Sequence, residues 1–316
     1  MHLAEWLEQI ERDYLATFVK RGGTAVKFVV GDGRQRSELR SALTKLAENH
    51  DYLVLTADAA THRFHMPQDL FFALAAQVDW RLAARFFLLK LVADEGYHTE
   101  GVGAADEDAL QAVAERNQVA KEFLLAALNP RLQREVFYDV NMAKDFRVAM
   151  SHLCLFERSA EQPYPGQPII DWLTGANTRI SNVKPFSIYN PINRNTARHL
   201  LRSAFYWVAK VGYPGTVVIL DSARVTERKR QPDGSRYYTR AMTMDFYEIL
   251  REFIDSADLL SASMIVSSCE VAFLDQETDR QSRGVGIYPA LQTRIIDDVR
   301  DKRMENPVAA LCRLTG

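Results

Sequence analysis

Residues 26–45 read VKFVVGDGRQRSELRSALTK, and the fold turns on how this stretch is read. A short apolar run, Val26–Val30, stops at a glycine turn. From Ser37 onward Leu39, Ala42, Leu43 and Leu46 recur at helical spacing as far as Asn49. Strand, tight turn and helix in that order point backbone N–H groups and a helix N-terminus at an anion. A second apolar run, Tyr52–Thr56, completes a βαβ unit and predicts a parallel sheet with helices on its faces. The usual phosphate-binding turn is G-x-x-x-x-G-K-[ST], whose lysine reaches the outer phosphates and whose hydroxyl holds Mg²⁺. Here the turn is Gly31, Asp32, Gly33, Arg34, Gln35, Arg36, Ser37. It is one residue short, with Gln35 for the second glycine and Arg36 for lysine. These seven residues are the candidate nucleotide-binding set, and Ser37 is the candidate Mg²⁺ ligand among them.

Ahead of this stretch, Leu3, Trp6, Ile10, Tyr14 and Phe18 fall at helical spacing and predict an amphipathic lead helix over 3–19, ended by Gly22-Gly23. Behind it, residues 67–95, 106–128 and 130–156 read as helices, the last two parted by Asn129-Pro130. The proline-rich stretch 162–185 reads as an irregular connection. Within this block His62 and His65 lie close together but have no third ligand, so no metal site is expected there. Acidic groups such as Asp106, Glu107 and Asp108 read as solvated loop residues.

Asn193–Val211 is a second amphipathic helix, stopped by Gly212-Tyr213-Pro214-Gly215, and Thr216–Asp221 is a third strand. An apolar strand that ends in aspartate is the companion of a phosphate-binding turn, since that carboxylate can sit beside Mg²⁺. Asp221 is therefore the second candidate metal ligand. Ser222 follows it where a catalytic carboxylate would be useful, and a serine is no base at neutral pH without an activating partner. Helix returns at Asp245–Ile254, and Ser263–Ser268 makes a fourth strand. Its terminal hydroxyls, Ser267 and Ser268, are placed either to sense a phosphate or to cap the next turn. A helix opening at Tyr288-Pro289 and carrying Arg294 follows, then a fifth strand over 309–314.

Between strands three and four, residues 224–240 carry Arg224, Arg228, Lys229, Arg230, Arg236 and Arg240 with Tyr237 and Tyr238, around a Pro232-Asp233-Gly234 turn. Basic and aromatic residues interleaved in this way suit a phosphate backbone and a stacked base. Arg228, Lys229, Arg230, Arg236 and Tyr237 are the candidate DNA contacts; a solvated loop is the plainer reading.

Composition sets the limits. Of the 316 residues, 47% are apolar and 25% charged, as in ordinary globular proteins, and the formal net charge of −2 excludes a global basic field for nucleic acid. Cys154, Cys269 and Cys312 are far apart without metal-ligand spacing, which points to reduced thiols. The acidic start MHLAEWLEQIERD is no signal peptide, and Asp79, Arg81 and Arg85 interrupt the most apolar segment, Leu70–Val92. A cytoplasmic protein with no membrane contact is expected.

The order of these parts resembles the P-loop ATP-binding proteins of BREX-type bacterial phage-defence systems, within the AAA/STAND ATPase group. Four places carry the likeness: Gly22-Gly23 leading to Phe28–Asp32; Arg194–Arg198 leading through Gly212–Gly215 to Asp221; Tyr288–Leu291 with Arg294; and Asn306-Pro307 before a last strand. It spans residues 5–314, with the middle helices matching in general character only. The resemblance implies a three-layer αβα domain with a central parallel five-stranded sheet, interrupted between its second and third strands by a large helical insertion. It divides the chain into 1–60 (lead helix and first half of the core), 61–192 (insertion) and 193–316 (second half of the core). It further implies ATP and Mg²⁺ as ligands and other proteins of a defence complex as partners, with a second copy of the chain and DNA as further partner classes. The lid segment that follows in many AAA proteins is expected to be absent. AAA-type ATPases normally carry Glu after the strand aspartate, where this chain has Ser222. Three readings follow: a degenerate, scaffolding or regulatory subunit; an active Mg-ATPase in which Glu227, Arg283 or Arg294 supplies a missing group; and a DNA-binding module that uses loop 224–240.

Overall fold

A computed structural model of the chain describes residues 1–106, 108–158, 163–295 and 309–315. The chain divides into two compact units, one made of Met1–Leu74 with Tyr213–Gly316 and the other of Ala75–Gly212.

The first unit is α/β. Its strands are β1 (Thr24–Val30), β2 (Leu53–Asp58), β3 (Thr216–Asp221), β4 (Ser263–Cys269) and β5 (Leu311–Arg313), all parallel, in the order β2-β3-β4-β1-β5. The five runs read as strands therefore form one sheet. Register brings their carboxyl ends level: Val30 lies opposite Cys269, Asp221 opposite Ser268, and Asp58 opposite Asp221. Gly215 lets β3 start where it does. Its φ is +157°, and a Cβ there would come within 2.1 Å of the Ala262 carbonyl oxygen.

Parallel strands buried on both faces need apolar runs, and these strands supply them. On one face Ala25, Val29, Val217, Ile219, Met264 and Val266 pack against two helical segments. One is α1 (Leu3–Gln9) with its π-helical continuation Ile10–Phe18; the other is α2 (Gly33–Asn49), which buries Leu39, Leu43 and Ala47. On the other face Phe28 stacks on Phe273 at 5.8 Å. Tyr247 of α10 (Arg240–Asp255) meets Phe273 edge-on at 5.7 Å. Alongside α10 runs α11 (Pro289–Ile295), tied to it by Arg294 on Asp255. The connection from β1 travels along the sheet towards β2, whereas that from β4 travels the other way to β5. The crevice at the carboxyl ends of β1 and β4 is thus a topological switch point, where open α/β sheets bind ligands.

Among the described residues of the second unit there are helices and turns but no strands. They are the end of α3 (Pro67–Ala75), α4 (Trp80–Asp94), α5 (Ala109–Arg116), α6 (Lys121–Leu132) with a π-helical stretch Gln133–Phe137, α7 (Lys144–Phe156), α8 (Gln167–Thr174) and α9 (Ala197–Val211). Its core is aromatic: Trp80 meets Phe146 at 5.9 Å and Phe87 meets Trp207 at 4.8 Å. Among the described residues no helix is long and apolar enough to cross a membrane.

Several local expectations need correction. The helix after β1 begins at Gly33, four residues before Ser37, so the supposed seven-residue turn is a two-residue link plus the first turn of α2. In the lead helix Phe18 is 48% exposed, because five-residue hydrogen bonding such as Val19 N–H to Tyr14 O turns Leu15 and Val19 inward instead. Pro130 lies inside α6 rather than between helices, near the point where the winding widens to π, which relieves the clash a proline makes with the preceding turn. The stretch 162–185 contains α8, with Pro168 in its first turn, where the missing N–H costs nothing. Asn306-Pro307, Glu107 and Gln162 lie outside the described residues.

Candidate functional site

Beyond β1 the chain turns in Gly31 and Asp32 alone. The Gly31 N–H donates to the Cys269 carbonyl at 3.1 Å, which ties the turn to the end of β4. Asp32 caps α2: its Oδ1 accepts the Gln35 N–H at 2.9 Å, and the Asp32 N–H donates to Gln35 Oε1 at 2.9 Å. This reciprocal capping box consumes two of the amides that a phosphate loop would present. The Gln35 side chain also lies over the turn, so that a Cβ on Gly31 would sit 3.0 Å from it. Gly33 and Arg34 carry the remaining first-turn N–H groups. The Arg34 side chain itself is exposed and paired with Glu38 at 2.8 Å.

Arg36 extends the buried stripe of Leu39, Leu43 and Ala47 by one turn, so it points at the sheet. Its side chain is only 13% exposed. There Nη1 donates to Asp221 Oδ1 at 2.8 Å and Nε lies 3.0 Å from Glu270 Oε2. The first contact is a formed hydrogen bond; the second is ionic without hydrogen-bond alignment. Ser37, one step further round the helix, is exposed. Of the two candidate Mg²⁺ ligands, Asp221 is thus held by Arg36 and Ser37 faces solvent.

Strand parity sorts the remaining groups. Val217 and Ile219 face α2, so Asp221 does too; Met264 and Val266 face α2, and so does Ser268. Ser268 is 2% exposed, and its Oγ has no hydrogen-bond partner beside this cluster. Ser222 lies elsewhere. Its Oγ donates to the Ser268 carbonyl at 2.9 Å and meets Ser267 Oγ at 3.0 Å and Cys269 Sγ at 3.4 Å, in a buried knot behind the strand ends. Burial raises the Cys269 thiol to about 11, so it stays protonated. Sequence reasoning missed Glu270, the carboxylate that does stand beside Arg36. Its only signal was its place directly after β4.

Most of the other candidates are engaged by their own surroundings. Glu227 is bidentate with Arg224 at 2.7 and 2.9 Å. Arg283 is buried, its Nη1 donating to the carbonyls of Arg280, Gln281 and Ser282. Arg294 is held by Asp255, with Nη2 at 2.9 Å from Oδ2. In the basic loop Arg228 pairs with Asp275 at 2.6 Å, and Arg236 Nε donates to the Thr61 carbonyl at 2.7 Å. Tyr237 lies between Arg228 and Arg283, while Tyr238 is buried and hydrogen-bonded to the carbonyls of His62 and Ala59. Lys229 and Arg230 are exposed, the latter 5.9 Å from the Tyr237 ring centre. The structure thus gathers Gly31, Asp32, Gln35, Arg36 and Asp221 at one sheet edge, while Arg34 and Ser37 face solvent and Ser222 faces the interior.

A magnesium-bound triphosphate needs a run of free N–H donors, an available cation and an open carboxylate. In this arrangement the cap has closed the run, and the cation and carboxylate hold each other. The residues present do not fit Mg²⁺·ATP. Among the described residues no group of three or more His, Cys, Asp or Glu is placed to hold a metal ion.

No curated protein and no solved structure matches the chain. A family model does, over residues 4–316: the BREX system ATP-binding proteins BrxC/D. With the match covering nearly its whole length, and with an all-parallel five-stranded sheet of the kind such proteins need, the chain belongs to the BREX system ATP-binding protein family.

Proposed function

We propose that the chain serves its phage-defence system as a nucleotide-binding-fold subunit with weak or null ATP hydrolysis, acting as a scaffold or regulatory component among the system's other proteins. Family membership supports the nucleotide-binding component and the existence of system partners. The degenerate reading rests on one observation, the clasp of Arg36 on Asp221 and Glu270. In a hydrolysing site the cation meets the outer phosphates and the aspartate stands beside Mg²⁺. Here the two neutralise each other, and Ser222 offers no base. The helical unit between β2 and β3 is, on this reading, an insertion whose surface is available to partners.

The rival reading, an active ATPase, uses the same site. Mg²⁺·ATP would displace Arg36, and Glu270 would then be the carboxylate nearest the attacking water. Phosphate release from Mg²⁺·ATP separates the two when measured on wild type, Asp221→Asn and Glu270→Gln. The expected result is no release above the protein-free blank in any of the three. Turnover in wild type that disappears in either variant overturns the proposal. A thermal-shift titration with Mg²⁺·ATP reports binding separately, because a ligand at a hundredfold its Kd adds about 2.7 kcal/mol to the native state; little or no shift at millimolar nucleotide is expected.

A further inference from the structure

We propose that the helical unit binds single-stranded nucleic acid along the ridge 179–190, with phosphates on Lys144, Arg179 and Lys184 and a base stacked on Tyr189. The site rests on this unit alone and is independent of the reading of the sheet edge. Residues 172–202 carry Arg179, Lys184, Arg194, Arg198 and Arg202 without one Asp or Glu, where the chain's average of 41 in 316 would place about four. Burial does not explain the bias along the ridge, because Arg179, Ser181, Asn182, Lys184 and Ser187 are all exposed.

The fold lays this stretch on α7. Gly175, at φ +77°, ends α8. Arg179 then heads one 3₁₀ turn (Ile180–Asn182), and Lys184 begins a second (Lys184–Phe186). Phe186 meets His152 of α7 at 5.4 Å, and the Asn190 N–H donates to Asp145 Oδ2 at 3.1 Å. Residues 186–190 therefore run back along α7 for about 10 Å, towards its first turn. Val183, Ile188 and Ile192 are buried beneath, and Pro185 and Pro191 restrict the backbone on either side of Tyr189. Lys144 is exposed next to Asp145 and lines the same cavity as Asn190 and Pro191, which brings it to the Tyr189 end of the ridge.

Among the described residues the side chains of Lys144, Arg179 and Lys184 make no ion pair and no hydrogen bond. Tyr189 is 56% exposed and has neither a ring partner nor a hydrogen bond on its hydroxyl. The neighbouring acid, Asp145, is buried and turned onto Asn190. Three cations without a counter-charge select a polyanion. An anionic membrane would need an apolar face beside them, and an acidic protein a desolvated apolar centre. The ridge exposes neither, since apart from Pro185 and Tyr189 its outward groups are polar. Cations, hydroxyls and amides are the usual partners of phosphate and sugar, and an open aromatic face takes an unstacked base.

The test is fluorescence anisotropy of fluorescein-labelled oligothymidylate, about 20 nucleotides long, titrated with the whole chain. Wild type is expected to bind saturably, with Kd between about 1 and 100 µM at about 150 mM salt. Three phosphate contacts give log K against log salt a slope of about −2. Changing Arg179→Gln and Lys184→Gln together is expected to flatten that slope to about −0.7. Tyr189→Ala is expected to weaken binding at least about fivefold and to keep the slope, because one stacked base is lost. The charge-matched control, Lys20→Gln with Arg21→Gln, is expected to alter neither. All these side chains are exposed, so the variants are expected to melt with wild type. No saturable binding, a slope that survives the ridge pair, or an unaffected Tyr189→Ala overturns the proposal. Loss in Lys229→Gln with Arg230→Gln but not in the ridge pair assigns the strand to loop 224–240 and overturns it too. So does displacement by polyglutamate as readily as by unlabelled oligonucleotide, which points to an acidic protein partner.

Discussion

Arg36→Ala is the sharpest perturbation of the sheet edge. The substitution removes a side chain that is 13% exposed and leaves Asp221 and Glu270, 28% and 38% exposed, at the ends of adjacent strands without their shared cation. Stranding one partner of a fully buried pair costs roughly 3–5 kcal/mol, whereas a surface pair is worth under about 1 kcal/mol. Intermediate exposure places this clasp at about 2 kcal/mol, and loss of the arginine stem from the stripe of Leu39 and Leu43 adds to it. For a unit of this size that corresponds to a fall of about 4–8 °C in melting temperature, read by far-UV circular dichroism. Ser37→Ala, one residue along and exposed, is the control and is expected to stay within about 0.5 kcal/mol of wild type. Asp221→Ala completes a double-mutant cycle, in which a coupling above about 1 kcal/mol is expected for groups in direct contact. If Arg36→Ala melts with wild type, the guanidinium is not holding the two carboxylates in solution. It would then be free for a phosphate, and the case for a spent site would fail.

Three further outcomes follow from the same structure. Lys27 is 3% exposed, with Nζ donating to Tyr14 Oη at 2.6 Å and to the Ala309 carbonyl at 3.0 Å, and burial lowers it from 10.5 to about 8. Between those values the unfolded chain binds more protons than the native one, so stability rises with pH above 8. The buried thiols of Cys154 and Cys269, both raised by burial and the latter to about 11, reverse the trend above about 9, and buried tyrosines, Tyr52 raised to about 12 among them, add to this above 10. Urea midpoints from pH 7 to 9 are expected to rise in wild type and to stay flatter in Lys27→Met. Tyr238→Phe removes a buried hydroxyl that donates to the His62 carbonyl at 2.6 Å and accepts the Phe64 N–H at 3.1 Å. It is expected to cost about 2–3 kcal/mol in urea unfolding, because buried backbone groups lose their partner. Gln35→Ala opens one half of the capping box and is expected to cost about 1 kcal/mol, with any gain in nucleotide-induced thermal shift reporting how far the cap blocks the turn.

The parallel sheet was legible because its strands are continuous apolar runs, VKFVV and TVVIL among them, that no amphipathic helix would use. What local pattern did not carry was adjacency. That Asp221 and Glu270 flank one arginine follows only from the register that sets Asp221 opposite Ser268, a fact of pairing rather than of spacing. The start of α2 was misplaced for a different reason. Gly31-Asp32-Gly33 reads as a flexible turn, yet Asp32 and Gln35 stand three apart in the spacing of a capping box, and that local bond overrides the glycine at the first helical position. The helix α8 was masked by its prolines, of which Pro168 sits where a helix tolerates one.

The changes at the sheet edge form a coupled set. Replacing lysine by arginine brings a forked cation that can engage two carboxylates at once, which a point-charge lysine does less well. The chain provides two, Asp221 and Glu270, on neighbouring strands. Replacing the second glycine by Gln35 supplies the side chain that closes the capping box on Asp32, and shortening the turn by one residue lets α2 begin early enough for Arg36 to fall on its inward face. Each change alone would leave an unsatisfied donor, a loose turn or a misdirected cation. On the proposed reading of a degenerate site, they together turn groups suited to a phosphate into groups that satisfy one another, trading ligand capacity for local stability. On that argument, restoring one feature does not restore a site. Gln35→Gly alone leaves Arg36 clasped, and Arg36→Lys alone leaves the turn capped. Only the pair, with one residue added to the turn, is expected to raise the affinity for Mg²⁺·ATP in a thermal-shift titration, and an equal gain from either single change would show the features to be independent.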